Sequence, residues 1–230
     1  MVCRVGTVHT AGDVPNREPG GPGKIGGVSE LNTYWPAALA EKTEIRDRLI
    51  AAYQEPHRAY HNVQHLAEVF GRIDELLEAG PTDGVDRDVV LLAAWFHDAV
   101  YQQAGDNEEA SAQLAARELA ALDDTLVQEV ARLVRVTSDH RVFADDANGA
   151  VLCDADLGIL AADPVRYDEY VVGVRHEYPD IPEADFRAGR TMVLRALMEA
   201  PALFRTAYGR EHWEGPARAN VTRELATLTF

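Results

Sequence analysis

The chain has 230 residues, 47% of them hydrophobic and 26% charged, which suits one domain with a core of its own. Its 22 Lys plus Arg stand against 38 Asp plus Glu, a formal charge of -16 with no basic cluster, which excludes an extended nucleic acid as partner. No apolar run is long enough to span a bilayer, and the two cysteines, Cys3 and Cys153, lie far apart in unlike contexts, so the sequence reads as cytoplasmic, without membrane or disulfide framework.

Residues 1–28 contain "AGDVPNREPGGPGKIGG", where Gly and Pro leave no apolar period, and read as a flexible leader to a domain over 29–230. From Trp35 onward apolar residues recur at spacings of three and four. The pattern predicts helices over 35–54, 61–80, 87–101, 107–122, 124–137, 148–161, 164–177, 183–199 and 212–228. Gly80-Pro81, Asp106-Asn107, Asp123-Asp124 and Asp163-Pro164 supply turns or caps between them. With no strand alternation and no internal repeat, the expected fold is an all-α single-domain bundle of about eight or nine helices.

Three places in this pattern hold polar residues where the core should be. In "YHNVQHLAEVF", Val63, Leu66, Phe70, Ile73 and Leu77 form the buried stripe, broadened by Val69 and Leu76. Helical geometry then sets His61 and His65 in a row at its border. Next, "VVLLAAWF" is apolar all round and belongs in the middle of the bundle, yet it runs straight into His97-Asp98. A carboxylate there costs several kcal/mol unless paired, hydrogen-bonded or metal-bound, about 3–5 by precedent for a broken buried pair. Finally, Asp154 and Asp156 interrupt "AVLCDADLGIL", and a cap accounts for one of them but hardly both. The plain alternatives are partnered core histidines and a buried Asp–His or Asp–Arg pair. Taken together, imidazoles and carboxylates without sulfur suit a divalent ion such as Mg, Mn, Fe, Co or Zn.

These residues carry a resemblance. His65, His97-Asp98 and Asp156 reproduce the H…HD…D signature of the HD superfamily of metal-dependent phosphohydrolases. The wider phrases "YHNVQHLAEV", "LLAAWFHDAVY", "DNEEASA" and "VLCDADLGIL" look like a small bacterial subfamily of predicted HD phosphohydrolases, over roughly residues 33–228. "YHNVQH" followed by "HD" and "ADL" is also similar to the core of cyclic-nucleotide phosphodiesterases.

The resemblance implies an HD-type helical fold with His65, His97, Asp98 and Asp156 as ligands to one or two divalent ions. It implies hydrolysis of a small phosphate ester, nucleotide or diphosphate by a metal-activated water, with His61 protonating the leaving oxygen and Asp98 able to orient the water. Asp154 becomes a cap or a neighbour of the ligands, and Glu108 or Glu109 a candidate to touch metal-bound water. The chain departs from signalling cyclic-dinucleotide hydrolases in having Ala99, Val100 and Tyr101 after the HD pair, with no Lys. His140 in "VTSDHRVF" is a candidate for a second metal position, and iron at two per chain dependent on it would favour a di-iron oxygenase of this fold. A metal that only braces a helical binding module is the non-enzymatic alternative.

Elsewhere, Arg187 and Arg190, three residues apart in "FRAGRTMVLRALM", and Arg218 beside Asn220 are candidate phosphate contacts for a small anionic substrate. The plain alternative is pairing with the abundant acids. His176 reads as structural or exposed, while His57, His212 and the oligomeric state stay unassigned.

Overall fold

Sequence and packing agree most clearly on the fourth helix, Arg87–Phe96, whose residues Val89 to Phe96 are all buried. In the computed structural model, residues 28–80, 83–102 and 105–228 are described, so the leader falls outside the described residues except for Val28, which opens the first helix. Ten α-helices follow one another without a strand among these residues: α1 (Val28–Leu31), α2 (Thr43–Tyr53), α3 (Val63–Ala79), α4 (Arg87–Phe96), α5 (Asn107–Glu118), α6 (Asp124–Val136), α7 (Ala147–Leu157), α8 (Pro164–His176), α9 (Glu183–Glu199) and α10 (Glu214–Leu228). The chain is thus an all-α single-domain bundle, with one helix more than the upper expectation because the short α1 precedes the periodic region.

Helices α4 and α5 end earlier than the apolar period, at Phe96 and Glu118, and four further departures each have a local reason. Pro36 holds Trp35 extended (ψ 118°), so only a short 3-10 turn, Ala37–Leu39, forms there and α2 starts at Thr43. Asn62 caps α3, its side-chain oxygen accepting from the backbone of Gln64 (2.8 Å), which leaves His61 outside the helix. At Gly158 the chain tightens into a 3-10 turn, where a Cβ would run into the Arg72 side chain. A π turn over Gly209–Trp213 leads into α10. The other expected starts hold: Asp106, Asp123 and Asp163 each accept a backbone N–H of the helix they cap, while Pro81 lies outside the described residues.

The core has two parts. Helices α3, α5, α6 and α7 pack around α4, where Phe70, Trp95 and Phe96 are fully buried. A smaller part joins α8, α9 and α10 through Tyr167, Leu194, Phe204 and Val221, and Trp213 touches both. Burying a side chain of this size contributes roughly 1.5–3 kcal/mol, so the larger part is what holds the polar residues at its edge in place.

Candidate metal centre

The polar cluster forms where α3 and the ends of α4 and α7 meet. His65 occupies the first turn of α3, facing inward at 1% exposure, because the cap on Asn62 fixes where the helix begins. Helix α4 ends at Phe96, so the HD pair lies in the following turn. Arg58 satisfies the carbonyls left open there: its Nη1 donates to Asp98 O (2.6 Å) and to His61 O (3.2 Å), and its Nη2 to Ala99 O (3.1 Å). Asp156 comes from the last turn of α7.

The donor atoms converge. His65 Nε2 lies 3.0 Å from His97 Nε2 and 3.3 Å from Asp98 Oδ2, and His97 Nε2 lies 3.1 Å from Asp98 Oδ2. Asp156 Oδ1 stands 3.3 Å from His65 Nε2 and 3.7 Å from His97 Nε2. Neighbouring ligands about 2.1 Å from one ion are spaced roughly 3.0–3.4 Å apart, so His65, His97 and Asp98 form a group that could hold a metal. The ring orientation fits as well: His97 Nδ1 donates to Ala94 O (2.8 Å), which turns Nε2 toward the cluster, where a bound cation would replace its proton. His65 Nδ1 is buried without a hydrogen-bond partner.

Electrostatics make the same point. Burial alone would lower the basicity of His97, but the charge of Asp98, with Asp156 behind it, lifts it to about 9. Burial alone would raise Asp98 and Asp156, yet the histidines around them hold both well below the usual carboxylate range. The two acids are therefore ionised and the two imidazoles hold protons, which a divalent cation bound between them would displace.

The cluster opens into a cavity of about 560 Å³ whose wall includes His61, Asp98, Glu108, His140 and Asp156. His140 Nε2 lies 2.9 Å from Asp156 Oδ2, so Asp156 links the cluster to the histidine named as a second position. His140 closes the turn that follows α6, with φ +53°, a left-handed position that usually takes Gly or Asn. His61 faces the cavity from outside α3. Its Nδ1 lies 2.7 Å from Glu177 Oε2 and its ring stacks on Tyr101 at 4.3 Å, leaving Nε2 as the free nitrogen.

The other candidate residues divide between structural partners and the cavity wall. Asp154 is fully buried away from the cluster, accepting from the backbone of Arg205 (2.7 Å) and Thr206 (2.7 Å) and from the Thr206 hydroxyl (2.7 Å), so it fastens the 205–206 turn. Glu109 pairs with Arg135, which together with Gln113 brings its carboxyl down to about 2, whereas Glu108 lines the cavity. Ser111 bonds the backbone of Val100. The arginines do not form a phosphate cluster: Arg187 donates to Thr227 O, Arg218 to Glu214 and to the carbonyls of Met198 and Ala200, and Asn220 to Leu160 O and Ala162 O. Arg190 reaches the cavity wall, but Glu224 grips it with two bonds (2.7 and 3.0 Å). His176 is exposed, as expected.

Two participants escaped the sequence. Glu177, 3% exposed, accepts from the backbone of Tyr60 and His61, from the His61 ring and from the Tyr101 hydroxyl. It ends α8, where the helix dipole disfavours an acid, and that misfit was a readable signal. Arg58, buried beside Tyr53 and Tyr101, carried none.

Compared with known protein families, with curated proteins and with solved structures, the chain matches none.

Proposed function

We propose that the protein is a metal-dependent phosphohydrolase of the HD type, acting on a small phosphate ester, nucleotide or diphosphate. The observation that carries this reading is the convergence of His65, His97, Asp98 and Asp156, the two acids of which line a cavity that also presents His61. His65, His97 and Asp98 would hold the ion with Asp156 as fourth ligand. When bound, a divalent cation supplies Lewis acidity, making a water acidic enough to attack near neutral pH and offsetting charge on phosphoryl oxygens.

The protein's own part is positioning and proton transfer. Glu177 holds the proton of His61 on Nδ1 and orients the ring, so Nε2 can deliver a proton to the departing oxygen. Asp98, which lines the cavity, would orient the incoming water. A purely bracing metal would have no use for an acid–base group so held beside it.

One observation favours a second reading, a di-iron oxygenase: His140 shares Asp156 with the first cluster. Elemental mass spectrometry of purified protein tests both readings against an Asp98→Ala control. Stoichiometric metal lost in the control, together with metal-dependent release of phosphate from an ester, supports the hydrolase. Two irons per chain with oxygen uptake supports the alternative, and no metal after reconstitution overturns both.

A further inference from the structure

The cavity is chemically two-sided. At one end stand the acids Asp98, Glu108 and Asp156 with the histidines; the opposite wall, from the 3-10 turn after α7 and from α8 and α9, is built of Leu157, Leu160, Val174, Phe186, Val193 and Leu197. On its rim Ile181 and Val193 are 41% and 50% exposed, large apolar side chains left in water. A ligand that covered them would recover the hydrophobic contribution they forgo.

Cations are scarce in the same place. Among the described lining residues there is no lysine, and Arg190 is the single arginine. Both its Nε and Nη2 are bound to Glu224, its guanidinium sits over the Tyr170 ring at 4.9 Å, and its side chain is 11% exposed. Asp185 adds another acid to the lining. A chain of phosphates needs several free cationic donors, and this lining offers it acids, hydrocarbon and uncharged hydroxyls instead.

We infer that the substrate carries one phosphoryl group on an apolar organic body, the phosphoryl at the His–Asp cluster and the body along the wall of α8 and α9, and that it is not a nucleoside polyphosphate. This inference rests on the phosphohydrolase reading and selects among the substrates that reading allows.

Gly189 provides the handle for a test. It lines the cavity on α9, and a Cβ built there meets no atom within 4 Å, so Gly189→Leu starts from open space, adds bulk to the wall and replaces a weak helix former. The probes are ethyl-, butyl-, hexyl- and octylphosphonate, which mimic a monoester and are not hydrolysed, titrated by calorimetry into the Mn-loaded protein. AMP and ADP are titrated alongside, and octyl phosphate and AMP are assayed for phosphate release.

Dissociation constants should fall by about fourfold per added methylene, the equivalent of about 0.8 kcal/mol, until the cavity is filled. ADP should bind no more tightly than AMP. In Gly189→Leu the fall should stop at a shorter chain while metal content is unchanged. A flat series, tighter binding as nucleotide phosphates are added, or a series untouched by Gly189→Leu overturns the inference. The two readings fail separately: a sloped series without hydrolysis of octyl phosphate sinks the hydrolase and leaves the pocket assignment, whereas a flat series with hydrolysis of AMP does the reverse.

Discussion

His61 and Glu177 meet through two contacts: one Glu177 oxygen accepts from the His61 backbone N–H at 2.9 Å, and the other, which also accepts from the Tyr101 hydroxyl at 3.0 Å, completes the clasp 2.7 Å from its Nδ1. The ring is thereby fixed in tautomer and direction although it lies in a turn, and its Nε2 is the nitrogen left to the cavity.

For His61→Ala we expect retained metal and a loss in kcat of about 10²–10⁴-fold, greatest for esters with poor leaving groups. A series of aryl phosphates graded by phenol acidity measures this. An equal loss across the series would argue against proton donation by His61.

Glu177→Gln tests the clasp itself. Burial alone would raise the Glu177 carboxyl, but the His61 ring and the two backbone N–H groups more than offset this and hold it below its ordinary value. A group depressed on folding contributes stability that is fully present above its unfolded pKa, about 4.3, and lost as pH falls through the folded value. Urea denaturation should therefore show the wild type losing stability on acidification below about pH 4.3, with a shallower decline in Glu177→Gln. At pH 7 the variant should be less stable by about 1–3 kcal/mol.

Asp154→Ala separates a structural acid from a ligand. Removing it leaves the buried backbone N–H groups of Arg205 and Thr206 without their acceptor, an expected cost of about 2–5 kcal/mol. Metal bound per folded molecule should not change. Loss of metal at full stability would reverse the assignment.

His140→Asn keeps a residue that tolerates left-handed backbone and removes the imidazole beside Asp156. Stability should stay within about 1 kcal/mol, because the backbone position is as well served. If two ions bind the wild type, one should remain in the variant by elemental analysis; if one binds, its affinity should weaken only modestly.

Much of this was legible in the chain before folding. Helix α4 announced its central place by being apolar on every side, and the HD pair after it stood out because acids do not end such segments unassisted. His65 was legible for the same reason, on a face otherwise made of Leu66, Val69, Phe70 and Ile73. Asp154 and Asp156 could not be told apart by hydropathy: they sit two residues apart on one helix, and only the packing of α7 decides that one turns to the 205–206 backbone and the other to the histidines. The arginines misled for a related reason. The i, i+3 spacing of Arg187 and Arg190 is local, whereas the Glu224 that occupies Arg190 comes from a helix the sequence does not place beside it. Arg58 and Glu177 act across 40 and 116 residues of chain, on partners that become neighbours only after the bundle closes.

The Arg58 guanidinium binds the Asp98 carbonyl and the His61 carbonyl with the same Nη1 nitrogen. Neither segment belongs to a helix, so their spacing is not inherited from regular geometry. It is gauged by one flat, rigid group, as a jig sets two workpieces at once. Thermal drift of one turn carries the other with it, and the separation between proton donor and metal-binding acid is preserved while both move.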